Sequence, residues 1–219
     1  MSKYKNLIFD LDGTLIDTIE DISFAMNEAL SVLPLPQRFD KESTKLLIGD
    51  GADMAIKRAL LDKGDDPILF EKLKKEYMPR YKRYQNVHAK PFPGMKETLL
   101  ELKELGISLY VLTNKPHELA EFILKAHFGD VFAAIQGQVE GAPVKPDPTL
   151  TNALLEREEL KKEESLFVGD SLVDILTARN ASLDVVLVGW GYGTYDQKTI
   201  QKSSYFISSP SELIPLLRG

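Results

Sequence analysis

The 219-residue chain has no cysteine. Disulfides, thiolate catalysis and cysteine-held metals are therefore excluded. Histidine is scarce: His88, His117 and His127 are the only three, and they show no metal-binding spacing. No apolar stretch approaches the roughly 20 residues that a membrane span needs. The run after Lys3 and Lys5 reaches Asp10 too soon to read as a signal peptide. A basic excess is missing too. The net charge is -6, opposite to the usual footprint of a nucleic-acid or anionic-membrane surface. The expectation is a cytoplasmic protein whose partner is a small molecule, with monomer and homodimer both open.

What remains is ordinary globular material, with 43% hydrophobic and 27% charged residues, enough for one large domain or a domain with an insert. The most informative stretch is Leu7 to Leu15. An apolar run, Leu7 to Phe9, ends in Asp10 and Asp12, with Gly13 and Thr14 behind. Paired acids at the end of a buried strand suit a site that handles a cation and a phosphate better than they suit a core.

The period then changes. Ile19, Ile22, Met26, Leu30 and Leu33 recur at three and four residues, a helix with one apolar face, stopped by Pro34 and Pro36. A second helix is expected after Gly51. A third starts at Asp66-Pro67 and carries the stripe Leu69, Leu73, Tyr77, Tyr81 and Tyr84. Residues 16 to 87 thus read as helices with no strand between them. After Pro91 and Pro93-Gly94 the pattern alternates. Strands are expected over Ile107 to Leu112, Val131 to Ile135, Leu166 to Val168 and Val185 to Val188, with a short edge strand at Tyr205 to Ile207. Helices are expected between them, and the charged run Glu156 to Glu164 reads as the solvated tail of the helix begun at Thr149. A last helix is expected over Ser211 to Leu217.

The implied fold class is α/β: a Rossmann-like parallel sheet flanked by helices, built from residues 1–15 and 88–219. A small all-helical cap of residues 16–87 is inserted after the first strand. In such sheets ligands bind at the carboxyl ends of the strands. Four of these ends carry polar groups: Asp10 with Asp12, Thr113-Asn114, the loop with Lys145-Pro146, and Asp170 with Asp174. Hard oxygen donors without histidine or cysteine suit magnesium. A carboxylate can attack phosphorus, a second can shuttle protons, and a lysine with a hydroxyl can hold phosphoryl charge.

These four elements, in this order, resemble the motifs of the haloacid dehalogenase-like phosphohydrolases over essentially the whole chain. The resemblance implies Asp10 as a nucleophile that forms an aspartyl-phosphate. It implies Asp12 as general acid and base, with its carbonyl on magnesium. Thr113 and Asn114 would hold the phosphoryl group by hydroxyl and backbone N–H, and Lys145 would bridge nucleophile and phosphate. Asp170 would ligate the metal, and Asp174 would support it directly or through water, with Ser171 helping to position the acids. Dehalogenases of the superfamily do not need Asp12, Asp170 and Asp174, so that set favours phosphate chemistry.

Leu47 to Asp53, Pro91-Phe92-Pro93-Gly94, Thr113-Asn114-Lys115 and Gly189-Trp190-Gly191-Tyr192-Gly193 are similar to the phosphoglycolate phosphatase-like branch. That branch also includes pyrophosphatases and nucleotidases. Its cap loop suggests Gly49, Asp50 and Gly51 as specificity residues. A phosphosugar mutase is the alternative enzyme, but the cap glycine lacks the flanking cations such mutases use; Lys57 and Arg58 read as exposed helix charges. A non-catalytic phosphate sensor on this fold would be expected to have lost a catalytic aspartate or the lysine. One departure stands out: Ser182 occupies the place where the family usually has a glycine, and a left-handed conformation there would cost on the order of 1 kcal/mol relative to glycine.

Overall fold

The computed structural model describes residues 3 to 218. Six parallel strands form one sheet in the order β5-β4-β1-β6-β7-β8. They are β1 (Asn6–Phe9), β4 (Ser108–Pro116), β5 (Ala134–Gln138), β6 (Ser165–Gly169), β7 (Asp184–Val188) and β8 (Tyr205–Ile207). The central strands are apolar on both faces, as a sheet covered by helices requires. Leu7 and Phe9 of β1 face one core with Val111 and Val168, while Ile8 faces the other with Leu112 and Phe167. The first core is closed by α5 (Met95–Glu104), α6 (His117–Phe128) and α10 (Leu213–Arg218). The second is closed by α7 (Thr149–Arg157) and α8 (Leu172–Asn180).

Between the first two strands of the sheet lie α1 (Ile19–Ser31), α2 (Lys41–Lys45), α3 (Ala52–Ala59) and α4 (Pro67–Tyr84). They share an apolar cluster of their own, built on Ile22, Met26, Ile56, Leu73 and Tyr77. Asp66 starts α4 as the spacing predicts, its carboxylate accepting the N–H groups of Ile68 and Leu69.

Four expectations need correction. The segment from residue 16 is not free of strands. β2 (Ile16–Asp17) pairs antiparallel with β3 (Lys90–Pro91), so the outgoing and returning crossings form one ribbon. The buried Asp21 carboxylate also takes the N–H groups of Val87, His88 and Ala89 at 2.9–3.0 Å. Second, the run Glu156 to Glu164 is not one helix face. Helix α7 ends at Arg157, Glu159 turns left-handed (φ 54°), and Leu160 is pulled in against the second core. Third, β5 is displaced from 131–135 to Ala134–Gln138. Val131 is buried ahead of it, and the polar Gln136 and Gln138 hide the strand from an apolar pattern. Fourth, Arg58 is not a free surface charge: it pairs with Asp50 and donates to the carbonyls of Leu47 (3.1 Å) and Ile48 (3.4 Å). Lys57 is exposed.

Candidate active site

Asp10 follows β1 at the point where chain order in the sheet reverses, with β4 on one side and β6 on the other. This is the crevice where open α/β sheets bind ligands. A cavity of about 490 Å³ lies between these strand ends and the helices α1, α3 and α4, with Asp10, Asp12, Thr113 and Asp170 on the sheet side and Tyr77 and Tyr81 opposite.

The turn after β1 is tight because Gly13 takes φ 85° and packs against Asp170 and Tyr192. A Cβ there would lie 2.6 Å from Asp170 Oδ2 and 2.8 Å from Tyr192 Cδ2. Asp12 Oδ1 accepts Thr18 Oγ1 at 2.7 Å and lies 3.2 Å from Lys115 Nζ. On β4, Thr113 Oγ1 accepts the Lys115 N–H at 3.2 Å. The Asn114 side chain acts as a tie, accepting the Lys145 N–H at 2.7 Å and donating to Lys145 O at 3.1 Å and Gly49 O at 2.9 Å. The side chain of Asn114 therefore fixes the lysine loop and the Gly49 loop, leaving only its backbone to serve a ligand.

Lys145, at a cis peptide bond to Pro146, joins two carboxylates. Its Nζ lies 2.8 Å from Asp10 Oδ1 and 2.7 Å from Asp174 Oδ1. Asp174 is fully buried, and its other oxygen accepts the N–H (3.1 Å) and hydroxyl (2.7 Å) of Ser171, the residue that caps α8. Asp170 accepts Thr14 Oγ1 at 3.2 Å and the Tyr192 N–H at 2.7 Å. Gly49 and Gly51 line the cavity, whereas Asp50 is engaged with Arg58.

Crowding acids out of water shifts their ionisation. Burial pushes Asp10 up to about 7, opposed by the Lys145 ammonium and reinforced by Asp174. Burial pushes Asp170 up to about 8, with the neighbouring Asp174 and Asp10 adding to it. Lys145 is held well into its charged form by Asp10 and Asp174, against the opposing effect of burial.

The donor set fits a divalent cation. Oxygens of Asp10, Asp170 and Asp174 lie within 4.8 Å of one another, all hard ligands. Asp10 Oδ1 is buried and, although paired by charge with Lys145, receives no aligned hydrogen bond. A buried carboxylate oxygen left this way is one that a metal can satisfy.

The family follows from the chain as a whole. The model of the haloacid dehalogenase-like hydrolases matches residues 7–188. The protein belongs to that family. It is 32% identical over 221 residues to the phosphoglycolate phosphatase of Vibrio parahaemolyticus serotype O3:K6, covering 97% of this chain and 96% of the relative. It is 34% identical over 216 residues to that of Aquifex aeolicus, covering 96% and 95%. Among solved structures, a predicted phosphoglycolate phosphatase from Haemophilus somnus 129pt superposes with a TM-score of 0.89 at 30% identity, covering 99% of both chains. CbbY from Rhodobacter sphaeroides, determined in complex with phosphate, gives 0.83 at 25% identity, covering 99% and 100%. The chain is thus a phosphoric monoester hydrolase of the phosphoglycolate phosphatase-like type.

Two site features went unread in the sequence. Lys115 stood there only as part of a branch signature, yet its side chain has no exposure and its Nζ meets Asp12 and the Tyr81 hydroxyl. Tyr192 stood in a glycine-rich run, yet it reaches Asp17, Thr18 and Asp170. A lysine closing the buried run of β4 was the available signal for the first. The second had none, because the partners of its hydroxyl, Asp17 and Thr18, lie more than 170 positions away in the sequence.

Proposed function

We propose that the protein is a magnesium-dependent cytoplasmic phosphatase that hydrolyses a small phosphorylated metabolite, phosphoglycolate being the first candidate, through an aspartyl-phosphate on Asp10. The observation that carries this reading is Lys145 placed between Asp10 and Asp174, with Asp12 two residues away at the same sheet edge. A carboxylate oxygen of Asp10 bonds to phosphorus as the ester P–O bond breaks, and Asp12 gives its proton to the departing alkoxide. Water then attacks the phosphorus, Asp12 takes the water's proton, and the P–O bond to Asp10 breaks to release inorganic phosphate. Lys145, the Thr113 hydroxyl and the Asn114 N–H hold charge on the phosphoryl oxygens. A divalent cation held by Asp10, Asp170 and the Asp12 carbonyl, with Asp174 beside them, would neutralise phosphoryl charge as well. Asp174 already has both oxygens engaged by Lys145 and Ser171, which favours support through water.

Residues 16–87 form a cap over this site in the same reading. The two crossings at β2 and β3 are its hinges, and the cap excludes water during the first step and admits it for the second. Arg58 is engaged with Asp50 and two carbonyls, which supports hydrolysis over the mutase alternative, since a mutase needs free cations there for a second phosphate. The test is release of inorganic phosphate from a panel of esters, with magnesium and with EDTA. Turnover that needs magnesium is expected; no turnover of any ester would overturn the reading.

A further inference from the structure

Asp21 is a carboxylate only 1% exposed, with no ion-pair partner among the described residues. Backbone donors alone meet its charge. Oδ2 accepts the N–H groups of Val87 (3.0 Å), His88 (3.0 Å) and Ala89 (2.9 Å), and Oδ1 accepts that of His88 at 2.9 Å. A buried anion is costly unless donors of this kind surround it. A position that had only to pack α1 against its neighbours would be served better by an apolar side chain, as Ile22 and Met26 serve the cap cluster.

The place of this clamp gives it a task. Asp21 stands in the first turn of α1, and residues 87–89 lie on the return path between α4 and β3. The two paths into the sheet are unequal. Thr18 alone separates β2 from α1, whereas residues 85–89 separate α4 from β3. Along that longer run the Val87 N–H also reaches Tyr84 O at 3.2 Å, and the Asn86 side chain bonds His127 Nε2 of α6 at 2.7 Å. Ala89 closes the run, its methyl packed against the core of the sheet.

We propose that Asp21 is a positioning residue for the phosphatase reaction: it fastens the return path to α1, so that the two crossings act as one joint. This rests on the reading above and sharpens where its hinge lies. The rigid unit runs from residue 19 to residue 89, and bending is confined to residues 16–18 and 90–92. Four bonds to one buried carboxylate outlast the single, partly buried bond to His127, so opening breaks the latter and spares the former. With the return path held, the cap comes back to one closed orientation. With it loose, closed orientations multiply and the productive one is a smaller fraction. Substrate then binds more weakly by that fraction, while turnover at saturation is little changed.

Hydrogen exchange followed by NMR on the unaltered protein reads the joint, first free and then with magnesium and beryllofluoride, a mimic of phospho-aspartate. The amides of Val87, His88 and Ala89 should be protected in both states and should shift together with those of α1. Exchange at 87–89 that follows residues 16–18, Lys90 and Phe92 instead of α1 would overturn the inference. Asp21→Asn keeps the shape but leaves one acceptor oxygen and turns an NH2 group toward the amides. With 2-phosphoglycolate or, if it is not cleaved, p-nitrophenyl phosphate, its KM should rise about tenfold and its kcat stay within about threefold. Asp66→Ala removes the cap of α4 at the end away from the joint. It should lower stability and leave KM within about twofold, which separates a positioning role from a merely structural one. A KM unchanged in Asp21→Asn, or raised equally in Asp66→Ala, would overturn the assignment while leaving the phosphatase reading intact. Failure of the unaltered protein to cleave any phosphate ester would instead remove that reading. Should Asp21→Asn fail to fold, the exchange comparison decides alone.

Discussion

The Tyr192 hydroxyl oxygen accepts the backbone N–H of Thr18 at 2.7 Å, just where α1 begins. It also accepts the N–H of Ile19 at 3.1 Å and donates to Asp17 Oδ1 at 2.8 Å. Thr18 caps α1 by position but gives no side-chain cap, since its hydroxyl is turned to Asp12. A tyrosine from the loop after β7 supplies the missing acceptor, and its own N–H holds Asp170 at 2.7 Å. Tyr192→Phe keeps the ring, strips the buried Thr18 N–H of its acceptor and leaves the Ile19 N–H only Asp17 Oδ1 at 3.4 Å. Stability should fall by about 1–3 kcal/mol, read by urea unfolding. A loss below about 0.3 kcal/mol would mean that water or Asp17 replaces the phenol.

Asp10→Asn tests the nucleophile. The amide retains the shape of the carboxylate but cannot form the acyl phosphate, so steady-state phosphate release should drop by about 10⁴ or more with folding intact. Because the site crowds three acids, the same variant should be no less stable than the parent in EDTA. Near-parental turnover would remove Asp10 from the mechanism.

The acid cluster also sets a pH signature. Asp10 rises from its ordinary 3.8 to about 7 on folding, and Asp170 from 3.8 to about 8, burial being the main cause in each. Between these limits the folded state binds more protons than the unfolded one. In EDTA, stability should therefore be highest below about pH 4 as far as these groups decide it, and should decline by on the order of 2 kcal/mol or more as pH rises toward 8. A divalent cation binds the ionised acids, so millimolar magnesium should recover stability most at the upper end, by about 2.7 kcal/mol at a hundredfold excess over Kd. Thermal melts at pH 5 and 8, with and without magnesium, read both effects. A magnesium response equal at the two values, or a decline missing in EDTA, would contradict this account.

Much of the site was legible because its parts sit at strand ends. Asp10, Asp170 and Asp174 each follow an apolar run or open a helix, and Lys145 lies in the loop between β5 and α7; parallel topology brings such positions to one edge whatever lies between them. The chemistry of the four is also of one kind. The remainder depends on long-range geometry. The β2–β3 ribbon has two residues a side, too short to show a period. Arg58 reads as a surface charge until the 47–50 loop folds back over it. Lys115 and Tyr81 come from a strand and a helix 34 positions apart, and only packing makes them neighbours. Ends of elements moved for a related reason. Helix α7 stops at Arg157, and the left-handed Glu159 turns Leu160 against the core instead of leaving it on a solvated face.

Ser182 offers a test of local strain that does not touch the chemistry. The chain leaves α8 at Asn180 and must reverse into β7 at Asp184, and Ser182 makes that turn with φ 60°. Its N–H donates to Arg179 O at 3.0 Å, while Leu183 N–H donates to Ala178 O at 2.8 Å, so the left-handed residue closes the helix carbonyls. A side chain in this conformation costs on the order of 1 kcal/mol relative to glycine. The gain from Ser182→Gly is reduced by the greater freedom of glycine in the unfolded chain, typically about 0.4–1 kcal/mol in the opposite direction. A net stabilisation of about 0.5 kcal/mol or less is therefore expected, with kcat/KM unchanged, since residue 182 lies at the far end of α8 from Ser171 and Asp174. Urea unfolding of the two proteins side by side measures it. A clear destabilisation would show that the serine makes a compensating interaction that outweighs its backbone strain.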